Sequence, residues 1–160
     1  MSNQKIIDVR TITDDGPAIH FVATETERKD IAERFDISRL DKFEVTGCFG
    51  RDSVEGLITF DGELETVAER ECVVTLHLFS EKVSTPLHLL FSDQSIEDNA
   101  DPKIDIIPIY KGRIDLLNVF SEEFGLTLNP FPRSVDEYLD YHDPDDRPDE
   151  NPFDVLKNLK

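Results

Sequence analysis

Residues 43–91 constrain the fold more than any other stretch. Phe43, Val45, Gly47 and Phe49 alternate with Glu44, Thr46 and Cys48. After Gly50-Arg51-Asp52-Ser53, which reads as a turn, Val54, Gly56, Ile58 and Phe60 resume the alternation. A period of two marks strands with one buried face. Pairing Phe49 with Val54 sets Gly47 opposite Gly56, Val45 opposite Ile58 and Phe43 opposite Phe60. Asp61-Gly62-Glu63 is a second turn signal, because glycine accepts the positive φ of hairpin turns. Leu64, Thr66 and Ala68, then Cys72, Val74, Leu76 and Leu78, continue the inner face. A reversal at Ser80-Glu81 brings back Val83, Thr85, Leu87, Leu89 and Phe91. Pairing Leu78 with Val83 puts Cys72 beside Leu89 and Val74 beside Leu87. A slip of one residue would turn each set to the wrong face, so the pattern fixes the register. The polar Glu69-Arg70-Glu71 suits a bend or bulge in the long third strand. The expectation is an α+β fold. Its centre is a curled antiparallel meander of four strands, a partly open barrel-like sheet, covered by two helices.

The first helix is signalled by Thr24 and Glu27, three residues apart as in a capping box. It is expected to run to about Phe35, with Ile31, Ala32 and Phe35 on one stripe. Before it, residues 5–12 suit a short strand with Ile7 and Val9 on one side. Asp14-Asp15-Gly16-Pro17 is a turn, and residues 18–23 suit a second short strand. The second helix begins after Asp115, a good N-cap. Ile114 and Val119 occupy the positions of a hydrophobic staple. Leu116, Leu117, Phe120 and Phe124 form its apolar stripe, and Gly125 is its expected stop. Glu122 and Glu123 oppose the helix dipole, either as a solvated face or as an acid pair presented to a partner. Residues 104–110, interrupted by Pro108, can form at best an edge strand.

The 160 residues, 38% of them hydrophobic, suit one domain with appendages. Residues 1–133 are the α+β domain. Within it, residues 92–103 form an acidic polar loop. Residues 134–150 hold acids and prolines with the single Arg147, which suits a disordered acidic linker. Residues 151–160 restart order as a short helix, with Asn151 as cap and Pro152 at the first helical position. Phe153, Leu156 and Leu159 share one face, with Lys157 and Lys160 near the end. So short a helix is marginal alone. It is expected to dock on its own domain or on another molecule.

The net charge of −18 repels phosphate backbones and suits a basic protein partner, or simply keeps the chain in solution. A local basic patch of Arg28, Lys29 and Lys111 is the route left for RNA, with Arg34 and Arg113 nearby in sequence. Cys72 is expected buried as a small apolar residue and Cys48 exposed, so no disulfide joins them. His20, His77, His88 and His142 lack metal spacing, and no phosphate loop, nucleophile elbow or Cys-x-x-Cys occurs. The expectation is therefore a binding protein and not an enzyme, with no cofactor or metal. No apolar run reaches membrane-spanning length. The start lacks the regions of a signal peptide, so a cytoplasmic location is expected.

Three stretches carry a family resemblance: Glu71-Cys72 before a hairpin, Arg113-Ile114-Asp115-Leu116-Leu117 with its helix leading to Asn129-Pro130-Phe131-Pro132, and Asn151-Pro152-Phe153-Asp154-Val155-Leu156-Lys157 to Lys160. In this order and spacing they resemble the YceD-like family, the large ribosomal RNA subunit accumulation proteins. The resemblance spans most of the chain. It implies a non-catalytic role in the synthesis, processing or stability of 23S ribosomal RNA. The partner would be pre-ribosomal large-subunit RNA, or a basic ribosomal or assembly protein for which this chain is an acidic adaptor. Arg113, Asp115, Asn151, Pro152, Phe153, Leu156 and Lys157 are the candidate contacts. Many members carry Cys-x-x-Cys where this chain has Cys72 and Thr75, and Gly-Glu where it has Gly112-Arg113. The first departure removes a thiol, and the second reverses a charge.

Overall fold

The alternating stretch forms strands, but they are fewer and longer than the turn signals suggest. The computed structural model describes residues 5–52, 56–93 and 105–134. The expected acidic loop from residue 94, the linker beyond Ser134 and the tail helix at 151–160 lie outside the described residues. The elements are β1 (Ile6–Asp8), a 3-10 turn (Val9–Thr11), β2 (Ala18–Val22), α1 (Glu25–Arg34), β3 (Arg39–Arg51), β4 (Ile58–Glu71), β5 (Leu78–Ser92), β6 (Ile106–Pro108), β7 (Arg113–Asp115) and α2 (Leu116–Thr127). The fold is α+β, with a curled half-barrel sheet of five strands in the order β2-β3-β4-β5-β6. The strands β2 to β5 run antiparallel, while β6 lies parallel on β5 as an edge strand, so the sheet is mixed. β1 and β7 pair antiparallel in a separate two-stranded sheet, and β7 had no strand signal of its own.

Three long strands replace the expected four across residues 43–91. Phe49 pairs with Phe60 instead of Val54, Gly47 with Gly62, and Val45 with Leu64. The connection runs from Asp52 to Leu57, where Asp52 N–H donates to Leu57 O at 2.8 Å. Gly56 takes φ +68 in that connection and so does not pair with Gly47. The register moves by an even number of residues, which preserves facing. Phe43, Val45, Phe49, Ile58, Phe60 and Leu64 are all buried as the alternation requires.

Asp61-Gly62-Glu63 is mid-strand and makes no turn. Gly62 pairs with Gly47 on one side and Leu87 on the other. The facing backbone and the Phe60 ring together explain both glycines. A Cβ on Gly47 would lie 2.6 Å from Phe60 Cζ, and one on Gly62 2.9 Å from it. These glycines therefore make room for an aromatic ring. The next reversal is at 72–77 and not at Ser80-Glu81. Cys72 N–H donates to His77 O at 2.9 Å, and Leu76 N–H to Cys72 O at 2.8 Å. Leu78 consequently pairs with Glu71, and Val83 with Thr66. Val74, Leu76 and Leu78 are exposed and not inward, because the row they seemed to extend has become a turn and its far side. The expected bulge at 69–71 is absent from β4, and the register shift falls between Leu40 and Lys42 of β3.

Both helices start as their caps dictate. Thr24 Oγ1 accepts from Glu27 N–H at 3.4 Å, and Glu27 Oε2 accepts from Thr24 N–H at 2.7 Å. Burial pushes the Glu27 carboxyl up, but hydrogen bonds from Lys5 and Thr24 outweigh it and hold the group below the ordinary glutamate value. Asp115 Oδ1 accepts from Asn118 N–H at 3.2 Å, and the staple residues Ile114 and Val119 are buried. α2 then lays its apolar stripe on the concave face. Phe120 packs against Phe21 and Phe60 at 5.7 and 5.3 Å between ring centroids, and Phe124 against Phe43 and Phe35 at 5.7 and 5.9 Å.

Gly125 does not stop α2, which continues to Thr127. Its lack of a side chain admits the Phe35 ring, since a Cβ there would lie 2.4 Å from Phe35 Cε1. Helix propensity alone has Gly125→Ala gaining about 1 kcal/mol. Overpacking against Phe35 should instead give a net loss of about 1–3 kcal/mol in equilibrium denaturation. A stabilised variant would show that Phe35 yields without strain.

Candidate binding groove

The β1–β7 ladder sorts its residues by alternation. Ile7 pairs with Ile114 and both are buried, whereas Ile6 opposite Asp115 and Asp8 opposite Arg113 face outward. The ladder is closed by Val9 N–H on Gly112 O at 3.0 Å and Leu116 N–H on Lys5 O at 2.8 Å. Before it, Lys111 and Gly112 take φ +53 and +70, and Arg113 N–H returns to Tyr110 O at 3.1 Å. Two central residues with positive φ make the tight turn that matches strand twist. That turn leaves Tyr110 76% exposed.

Between β6, this ladder and the first turns of α2 lies a groove of about 410 Å³. Its floor is Ile107, Ile114 and Val119, extended by the half-exposed Ile6. Tyr110, Arg113, Asp115, Asn118 and Glu122 form its rim. Glu122 accepts from Asn118 Nδ2 at 3.0 Å and lies 3.8 Å from Arg34. Glu123 beside it is half-buried, and burial pushes its carboxyl above the ordinary value, with Asp105 and Glu122 adding like charge. The groove thus joins an apolar floor to a rim that carries Asp115 and Glu122, with Glu123 and Asp105 close to Glu122. An apolar side chain could fill the floor, and a following lysine or arginine would relieve the crowding.

The structure brings Arg113 and Asp115 to this groove, with Asp115 also committed to capping α2. Asn151, Pro152, Phe153, Leu156 and Lys157 lie outside the described residues. Of the expected RNA patch, Arg28 and Lys29 lie on α1 and Lys111 in the turn before β7. Arg28 donates to Leu40 O at 3.1 Å and Ala23 O at 2.8 Å, tying α1 to the chain on either side of it. Lys29 pairs with Glu25 at 2.9 Å. Both line a larger groove of about 560 Å³ with Arg39, where Glu25, Glu33 and Asp41 balance the cations. Arg39 is itself held by Asp41 at 2.7 Å and Glu69 at 3.4 Å. Lys111 lies instead in the β6–β7 turn. Mutual pairing leaves this larger groove little charge to offer, and the smaller one is the better candidate. Sequence reading missed Ile6, Tyr110 and Asn118 as groove residues. The adjacent isoleucines Ile6 and Ile7 were a usable signal, because a strand with one buried face cannot bury both.

Cys72 is buried and Cys48 exposed, both as free thiols. The Cys72 thiol is lowered to about 7, first by the Thr75 hydroxyl and then by the backbone N–H groups of Ser134, Thr75 and Val74. Thr75 therefore stands as a donor to this sulfur. Among the described residues, no three His, Cys, Asp or Glu side chains gather as metal ligands, and no helix is long and apolar enough to cross a membrane. Comparison with protein-family models, with curated proteins and with solved structures finds no match.

Two outcomes test these electrostatics. The raised carboxyl of Glu123 makes its ionised form destabilising, a cost fully present above its folded pKa and gone below its unfolded value of about 4.3. Glu123→Gln should raise stability at neutral pH, and the difference from wild type should vanish in acid. An equal effect at both pH values would locate the gain elsewhere. In a Cys48→Ser background, Thr75→Val should move the thiolate absorbance titration of Cys72 to higher pH. An unmoved titration would show that the backbone donors suffice.

Proposed function

We propose that this chain is a non-enzymatic binding protein of large-ribosomal-subunit assembly, supporting the synthesis, processing or stability of 23S ribosomal RNA. In this reading it works as an acidic adaptor, seating an apolar-anchored basic segment of a ribosomal or assembly protein in the β6–β7–α2 groove. One observation carries the binding mode: an apolar floor rimmed by the carboxylates Asp115 and Glu122, with Glu123 and Asp105 adding like charge next to Glu122. The net charge of −18 supports it by drawing basic partners over distance. The engagement of Arg28 with the Leu40 and Ala23 carbonyls and of Lys29 with Glu25 supports protein contact over a direct grip on RNA. The ribosomal setting rests on the resemblance of residues 71–72, 113–132 and 151–160 to the YceD-like family. The expected cytoplasmic location belongs to the same reading.

Affinity capture of the tagged protein from its own cell extract, with and without nuclease, tests this. A basic large-subunit or assembly protein should survive nuclease and be lost with Ile6→Asp, which puts a charge on the groove floor at a half-exposed position. Loss of every protein partner with nuclease, together with enrichment of large-subunit precursor RNA, would replace the adaptor reading with direct RNA binding. Capture of neither would remove the ribosomal assignment.

A further inference from the structure

The β4–β5 turn presents apolar side chains to water on a rigid support. Val73, Val74, Leu76 and Leu78 are exposed there, Leu76 to 68%. Val73 N–H donates to Pro132 O at 3.0 Å, which brings Phe131, 67% exposed, to the same place. The turn and the 129–134 strap hold each other. Arg70 Nη2 donates to Asn129 O at 2.7 Å while its Nη1 reaches Glu81 at 3.1 Å, and Pro132 is buried. Leu76 sits at φ +61, a left-handed conformation that disfavours a leucine by about 1–2 kcal/mol. Strain that aims a large apolar side chain at solvent suits a surface that is normally covered.

What covers it follows from where the described chain stops. Pro132 O holds Val73 N–H at 3.0 Å, so residues 135–160 begin three residues beyond a direct contact with this patch. In residues 151–160, Phe153, Leu156 and Leu159 recur every third position, the spacing of one helical face. Lys157 and Lys160 follow on, and the turn is flanked by Glu71 and Glu81. The tether formed by residues 135–150 spans at most about 55 Å extended, and as a flexible chain has an end-to-end distance of roughly 22 Å. Either length keeps the tail within reach, at an effective concentration of about millimolar, which offsets the marginal stability of so short a helix.

We propose that residues 151–160 dock on the β4–β5 turn of their own chain, with Phe153 and Leu156 over Leu76 and Phe131. The tail is then an intramolecular cap and not the partner contact. This inference does not depend on the ribosomal reading.

Methyl NMR of the full chain tests it, comparing wild type with a Phe153→Asp/Leu156→Asp variant, whose changes lie outside the described residues. The methyl shifts of Val73, Val74, Leu76 and Leu78 should move together and identically across protein concentrations. In a separate Leu76→Asp variant, the Val155, Leu156 and Leu159 methyls should move in return. Unchanged turn methyls would overturn the proposal, as would changes confined to the Ile6 and Ile107 groove. Changes that grow with protein concentration would also overturn it, since a second copy would then be the cover.

Discussion

Everything in this molecule depends on the insertion of Phe120 and Phe124 into the hollow of the curled sheet. Strands β2, β3 and β4 each present phenylalanine to that hollow, through Phe21, Phe43 and Phe60, and α2 supplies the opposing rings. Edge-to-face and tilted contacts at 5–6 Å add specificity to what would otherwise be unspecific burial. The geometry is demanding, and glycine meets it at both layers. Gly47 and Gly62 free the space that the Phe60 ring occupies, and Gly125 frees the space for Phe35 against α2. Close packing of this kind leaves few alternative ways to seat the helix.

The groove inherits its shape from that seating. β7 leads straight into α2, so the ladder that clips β7 to β1 also fixes where the helix begins. The same alternation that sends Ile7 and Ile114 to the core sends Ile6, Arg113 and Asp115 to the groove. Groove residues on such a frame are held by the core itself. The acidic end is built differently. Glu123 on α2 is half-buried with Glu122 beside it, and Asp105 just ahead of β6 adds like charge. Arg34 at 3.8 Å from Glu122 offsets part of that repulsion, while Glu123 keeps its raised carboxyl.

Facing proved legible in the sequence, whereas pairing did not. Alternation placed Phe43, Val45, Phe60, Leu64 and Leu87 inside, because side-chain period depends only on the local backbone. The partner of each strand depends on where the turns fall, and the glycine signals misled there. A glycine that relieves a positive φ and a glycine that makes room for a ring look identical in sequence, so Gly62 and Gly125 read as turn and stop. The reverse error hid the turn at 72–77, where Val73, Val74, Leu76 and Leu78 continue an apolar run that looks like strand. Caps were legible because Thr24, Glu27 and Asp115 act within one helical turn of themselves. The groove was half legible. Arg113 and Asp115 were named from sequence, but Ile6 joins them through a pairing between the two ends of the domain.

The segments that carry the family resemblance can be divided by what folding asks of them. Ile114 and Leu116 are core, Asp115 caps α2, and Asn129 Oδ1 accepts from Phe131 N–H at 2.9 Å to shape the strap. Pro132 is buried and its carbonyl holds Val73. These residues are explained by the fold, so their presence argues for this architecture before it argues for any partner. Arg113 and Phe131 are different, for both are exposed and neither caps an element nor fills the core. Arg113 stands on the groove rim and Phe131 beside the β4–β5 turn. Among the described residues, what folding leaves unexplained in these segments therefore lies at two places, the polar-rimmed groove and the apolar β4–β5 turn.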